Sequence, residues 1–255
     1  MLNIDGDQIS IAIDLDQGAR LASLQWRDME FVKPFDGDIL SWGWYAMAPW
    51  VGRIKDGQIK DSKAKLHQLP TTYLPPYAIH GLAFSSSWQD LGGGKQLFEL
   101  SAPYQGALLT QHFEILDQAL RWSLEYEPAG SDLPFSLGFN PWIARDIGKG
   151  SSAQLSFNAN KMFERDNDYV LTGDLISPIT PPWDHTFTQI SGVSEVVWQG
   201  AARLSIESDS PYLHINTEDE IGICVQPVTA APNAQFNNTK SDNYIEALFT
   251  FTEDY

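Results

Sequence analysis

The chain has a single cysteine, Cys224, among 255 residues. No disulfide can form within it, and a thiolate metal cluster is out of reach. Basic residues are also scarce, with 16 Lys and Arg against 33 Asp and Glu. A formal net charge of -17 repels phosphate backbones and anionic lipid, so neither nucleic acid nor a membrane surface is an expected partner. No uninterrupted apolar run approaches the length needed to span a bilayer. The first residues, Met1-Leu2-Asn3-Ile4-Asp5, lack the basic and apolar regions of a secretion signal. Together these absences lead us to expect a soluble cytoplasmic protein.

Other chemistries are missing as well. The five histidines, His67, His80, His112, His185 and His214, include no close metal-ligand pair, so no zinc site is expected. There is no phosphate-binding loop of the Walker type and no dinucleotide glycine fingerprint. Ser85-Ser86-Ser87 lacks the setting of a nucleophile elbow. A glycosidase needs two positioned carboxylates, and no motif selects a pair from the 33 acidic residues. No long window keeps the three-to-four apolar spacing of an amphipathic helix.

What the chain does have is alternation. Ile9, Ile11, Ile13 and Leu15 alternate with small or charged residues, as do Leu120, Trp122, Leu124 and Tyr126, then Leu155 and Phe157, then Ile245, Ala247, Phe249 and Phe251. A period of two places apolar side chains on one face of a strand. Leu116-Asp117-Gln118 reads as a hairpin turn between Gln111–Ile115 and Ala119–Tyr126, and Gly92-Gly93-Gly94 as a short hairpin loop. With 43% hydrophobic and 12% aromatic residues there is ample material for a core. Many short strands and no flexible linker predict antiparallel sheets packed face to face, in one domain over residues 1–255.

Several short motifs hold polar side chains in apolar company. His80 lies in Tyr77-Ala78-Ile79-His80-Gly81-Leu82, where it serves a sugar hydroxyl or a buried structural role; local sequence favours the structural one. Arg53 follows Pro49-Trp50-Val51-Gly52, and its five donors suit neighbouring hydroxyls as well as a surface ion pair. Asp184 follows Pro181-Pro182-Trp183: a carboxylate beside an indole holds a sugar ring, and the same residues also make a turn. Asn140, in Gly138-Phe139-Asn140-Pro141-Trp142, and Gln226, in Cys224-Val225-Gln226-Pro227-Val228-Thr229, carry amides that donate and accept hydrogen bonds without exchanging protons at neutral pH.

In order, the stretches Ala48-Pro49-Trp50-Val51-Gly52-Arg53, Ile79-His80-Gly81, the Asn140 motif, Trp183-Asp184 and the Gln226 motif resemble the aldose 1-epimerase (galactose mutarotase-like) family from the Arg53 region almost to the C-terminus. The resemblance implies an all-β fold, a large twisted antiparallel β-sandwich with a sugar cleft on one face. It implies a small-molecule partner, an aldohexose, bound by Arg53, His80, Asp184, Asn140 and Gln226, with Trp50, Trp142 and Trp183 as wall residues. In that family the position of Asn140 normally holds a His that protonates the ring oxygen. The position of Gln226 normally holds a Glu that takes the proton of the C1 hydroxyl. Ring opening and reclosure then exchange the anomers, a reaction that needs no cofactor. Of the residues with acid–base capacity at matched positions, His80 and Asp184 remain as candidates for catalysis. The resemblance thus leads to three expectations, in falling order: a sugar-binding protein with weak or lost mutarotation, a mutarotase working through His80 and Asp184, or a related isomerase acting on another carbon or on a modified sugar.

Overall fold

The computed structural model describes residues 1–233 and 241–255. Seventeen strands join in one antiparallel hydrogen-bonded network. The helical turns among the described residues are two three-residue 3-10 segments, Lys55–Gly57 and Ala83–Ser85.

The alternation in the sequence becomes burial. In Ile9–Asp14, Ile9, Ile11 and Ile13 face inward. In Ala119–Glu127, Leu120, Trp122, Leu124 and Tyr126 are all buried. Ile245, Ala247, Phe249 and Phe251 do the same in Tyr244–Glu253. Leu155 and Phe157 are only half-buried and pack at the edge of the core. The turn at Leu116-Asp117-Gln118 is closed by the Leu116 amide donating to the Ala119 carbonyl at 2.8 Å.

The network folds into two layers. One runs from Gln89–Gly92 through Lys95–Glu99, Leu108–Ile115, Ala119–Glu127 and Tyr244–Glu253 to Ala202–Glu207. The other runs from Leu2–Asp5 through Ile9–Asp14, Arg20–Trp26, Trp44–Met47, Gly138–Ala144 and Gly222–Val228 to Tyr212–Asn216. Aromatic rings join the layers: Trp122 stacks on Phe139 at 4.1 Å, Trp44 lies 4.7 Å from Phe249, and Phe31 lies 4.8 Å from Phe251. Such pairs add to the hydrophobic gain of burying the rings.

Two long strands belong to both layers. In Asp184–Trp198, residues 184–188 pair with Tyr212–Asn216, while residues 194–198 pair with Ala202–Glu207. Gln154–Arg165 follows it across, with a register shift between Ser156 and Asn158. Strands that turn such a corner do so through bulges. Gln189 at φ 55° and Gly192 at φ 74° mark the bend, and the second of these is a conformation that glycine adopts without strain.

Candidate functional site

Five neighbouring strands, four of them buried on both faces at this place and Tyr212–Asn216 half-buried on its outer one, each carry a polar residue on the side away from the main core. Tyr45 and Met47, Asn140 and Trp142, Cys224 and Gln226, His214 and Asn216, and Asp184 and Thr186 occupy alternate positions on their strands. The intervening Trp44, Ala46, Phe139, Val225, Ile215 and Phe187 enter the main core instead. Register sets the rows. Asn140 pairs with Tyr45, Gln226 with His214, and His214 with Thr186. A period of two on successive strands therefore builds a polar floor over an apolar core.

Above this floor lies a cavity of about 370 Å³, lined among others by Arg53, His80, Asn140, Trp142, Asp184, His214 and Gln226. Arg53 and His80 reach the cavity from a two-stranded ladder in which Arg53 pairs with Ile79. The turn after His80 depends on Gly81 at φ 85°, where a Cβ would lie 1.9 Å from the Ala48 carbonyl oxygen. That carbonyl instead accepts hydrogen bonds from the amides of Leu82 and Ala83 at 2.8 and 3.1 Å.

The loop 33–43 forms one wall and is tied down by two buried cations. The Arg20 guanidinium donates to the carbonyls of Gln17, Ile39, Trp42 and Phe84 at 2.8–3.0 Å and lies between the rings of Trp42 and Tyr45. Lys33 Nζ meets Asp36 at 2.6 Å, Asp219 at 3.1 Å and the Ser41 carbonyl at 2.6 Å. A buried charge is tolerable only when its donors are saturated in this way.

The cavity has an ionic side and a neutral side. On the ionic side, Asp184 Oδ1 lies 2.8 Å from His214 Nε2, and Oδ2 lies 3.3 Å from Arg165 and 3.7 Å from Arg53. His214 Nδ1 meets Thr186 Oγ1 at 2.9 Å. Arg165 also reaches Glu218 at 3.3 Å, and both guanidiniums lie against the Tyr169 ring, at 4.8 Å for Arg53 and 3.8 Å for Arg165. Burial acts to raise the Asp184 value, but the His214 hydrogen bond and charge, with Arg53 and Arg165, overrule it and hold the carboxyl at about 2. It is an anion and a weak base.

On the neutral side, Asn140 Nδ2 donates to Tyr45 Oη at 2.8 Å and faces His80 Nε2 at 3.4 Å. Asn140 Oδ1 accepts from Cys224 Sγ at 2.7 Å, and Gln226 Nε2 donates to Cys224 Sγ at 3.4 Å. Burial, reinforced by the charges of Arg53 and His214 against the weaker pull of Asp184, holds His80 down at about 3. Its imidazole is neutral across the physiological range.

The structure thus gathers Arg53, His80, Asn140, Trp142, Asp184 and Gln226 around one cavity. Trp50 and Trp183 are elsewhere. Trp50 is fully buried in the core, 6.3 Å from Tyr104, and Trp183 packs on Phe157 and Phe187 with its indole donating to the Ile179 carbonyl. Sequence reasoning missed His214, Arg165, Tyr169, Thr186, Tyr45 and Cys224. For His214 a signal existed: in Tyr212-Leu213-His214-Ile215-Asn216 the polar residues share one parity, as they do in Cys224-Val225-Gln226. Among the described residues no group of three or more His, Cys, Asp or Glu is placed to hold a metal ion. No helix among them is long and apolar enough to cross a membrane.

No protein-family model matches the chain, and no curated protein matches it in sequence. Solved structures do. A putative aldose 1-epimerase from Escherichia coli K12 superposes with a TM-score of 0.82 at 12% identity, covering 98% of each chain. The GalM/aldose epimerase homologue from C. elegans gives 0.78 at 16% identity, over 100% of this chain and 99% of that one. A galactose mutarotase-like protein from Clostridium acetobutylicum gives 0.77 at 16% identity, over 99% and 94%. At such identities the likeness shows the fold, which is the galactose mutarotase-like β-sandwich.

Proposed function

We propose that residues 1–255 form one carbohydrate-binding domain whose cleft holds an aldohexose, and that interconversion of its anomers at C1 is weak or lost. The observation that supports this reading is the protonation state of the cavity. Ring opening needs a base for the C1 hydroxyl and an acid for the ring oxygen. At the positions where the resemblance puts that pair stand Asn140 and Gln226, two amides tied to one thiol. The alternatives nearby are held far from neutrality, Asp184 at about 2 and His80 at about 3.

Binding has what it needs. Arg53 supplies donors, Asp184 supplies acceptors, and Trp142 lines the wall with an indole whose N–H is spent on the Leu40 carbonyl at 2.8 Å. The acidic lining residues Asp38, Glu218 and Asp219 accompany Arg53 and Arg165, a balance that suits a neutral sugar over a phosphorylated one. A non-catalytic sugar-binding or sensing protein is the limit of this reading in which turnover is zero.

The test is polarimetry of freshly dissolved α-D-glucose and α-D-galactose, with calorimetric titration of both sugars on the same protein. We expect binding with little or no acceleration. The double substitution Asn140→His with Gln226→Glu is expected to raise the rate by at least about a hundredfold, the ordinary contribution of one positioned acid or base. Acceleration by the parent protein that disappears in Asp184→Asn would instead identify a mutarotase working through the ionic side.

A further inference from the structure

The neutral side of the cavity contains a directional chain of hydrogen bonds, and its direction follows from one group. The Leu40 carbonyl oxygen lies 2.7 Å from Tyr45 Oη and 2.8 Å from Trp142 Nε1. A carbonyl only accepts, so the single hydroxyl hydrogen of Tyr45 is committed to it. Tyr45 Oη therefore accepts from its other neighbour, which places Asn140 Nδ2 at 2.8 Å. Asn140 Oδ1 then faces Cys224, whose thiol donates to it at 2.7 Å. Cys224 Sγ has spent its hydrogen and accepts from Gln226 Nε2 at 3.4 Å.

Turning either amide over would break this order. Asn140 reversed would claim the Tyr45 hydrogen and leave two oxygens, Tyr45 Oη and Leu40 O, 2.7 Å apart with no hydrogen between them. Burial pushes both the Tyr45 phenol and the Cys224 thiol up, so each keeps its one hydrogen and its role as donor. At the far end, Gln226 lines the cavity, and its Oε1 takes no hydrogen bond from the described residues.

We propose that this chain turns Gln226 so that its carbonyl oxygen meets the cavity as an acceptor for one ligand hydroxyl, with Tyr45 and Cys224 as positioning residues that fix the choice. The proposal rests on the cleft being a carbohydrate site. It adds which end of the Gln226 amide reads the sugar, and that residues outside the sugar's reach decide it. An amide free to turn would accept or donate and would discriminate little. A fixed carbonyl demands a hydroxyl hydrogen and rejects a group without one.

Cys224 is the only cysteine of the chain, so the S–H stretching band in the infrared reports one thiol without ambiguity. In the full-length protein that band is expected below the position of a free thiol, and Tyr45→Phe, which releases Asn140 to turn, is expected to move it back towards that position. A parent band at the free-thiol position, or one unmoved by Tyr45→Phe, overturns the direction of the chain. The second measurement is calorimetry with D-galactose and D-glucose and with analogues in which one hydroxyl at a time is replaced by fluorine. One analogue is expected to bind roughly three- to tenfold more weakly than its parent sugar, the worth of one neutral hydrogen bond. That ratio should fall to near one in Tyr45→Phe and Cys224→Ala and return in Cys224→Ser, which keeps a donor and an acceptor. Equal weakening of every analogue, with the ratio preserved, means a merely structural role and overturns the proposal. Expected thiol bands with no binding of either sugar would remove the carbohydrate reading and leave the direction of the chain in place.

Discussion

The two sides of the cavity hold their side chains by different physics. On the ionic side, one buried carboxylate, Asp184, is shared by His214, Arg165 and Arg53. On the neutral side, Asn140, Tyr45, Cys224 and Gln226 are linked by hydrogen bonds that carry no charge. The first arrangement is strong link by link and intolerant of a missing partner. The second is modest link by link and depends on every hydrogen pointing the right way. A ligand arriving between them meets fixed charges on one wall and fixed dipoles on the other. On the neutral wall Asn140 and Gln226 are amides, which exchange no proton near neutral pH.

The largest expected effect breaks the ionic side. Asp184→Ala takes the shared anion from His214 and Arg53 and leaves Arg165 only its outer contact with Glu218, and a loss of about 3 kcal/mol or more is expected in denaturant unfolding. The matching change on the neutral side, Gln226→Ala, removes one weak hydrogen bond to sulfur and should cost clearly less. Equal losses from the two would erase the distinction.

Acid should probe the seam between the sides, where His80 stands. Below its ordinary value of 6.5 the unfolded chain protonates this residue, while the folded protein keeps it neutral down to about 3. The unfolded state then binds more protons, so stability falls as pH drops through that window, by up to about 1.4 kcal/mol per pH unit. His185, lowered to about 4 chiefly by burial, adds in the same direction. The Asp184 contribution is present above its ordinary 3.8 and is lost only as pH falls towards about 2. His80→Asn tolerates the left-handed backbone at φ 57° and has no proton to gain, so it should flatten the slope between pH 6 and 4 in urea titrations. An unchanged slope would assign the acid sensitivity to other groups.

The smallest effect belongs to the outer rim of the ionic side. Glu218 is more than one-third exposed, and its contact with Arg165 is screened by solvent. Glu218→Gln is expected to change stability by less than about 1 kcal/mol, and added salt should shrink that difference further.

The sandwich was legible in the sequence because period two survives wherever one face is buried, as in Ile9–Asp14 and Tyr244–Glu253. The site was legible only in part. Arg53, His80, Asn140, Asp184 and Gln226 stood out through their ordered motifs, and the structure gathers them around one cavity. His214, Arg165 and Tyr45 did not, because their roles come from register between strands distant in sequence: His214 opposite Gln226, Tyr45 opposite Asn140. The resemblance implies Trp50 and Trp183 as wall residues, but neither lines the cavity. Trp50 instead fills the core, and Trp183 packs at the edge of that core against Phe157 and Phe187.

The long strands Asp184–Trp198 and Gln154–Arg165 place the cleft and the far layer on common backbones. Asp184, which lines the cavity, and Val196, which pairs with Leu204 of the far layer, lie on a single ribbon. Such a ribbon acts as a tie-beam: the two layers have no plane along which they can slide. Any adjustment of the cavity wall therefore falls to what hangs from the beams, the hairpin from Arg165 to Leu171, which carries Tyr169 to the cavity.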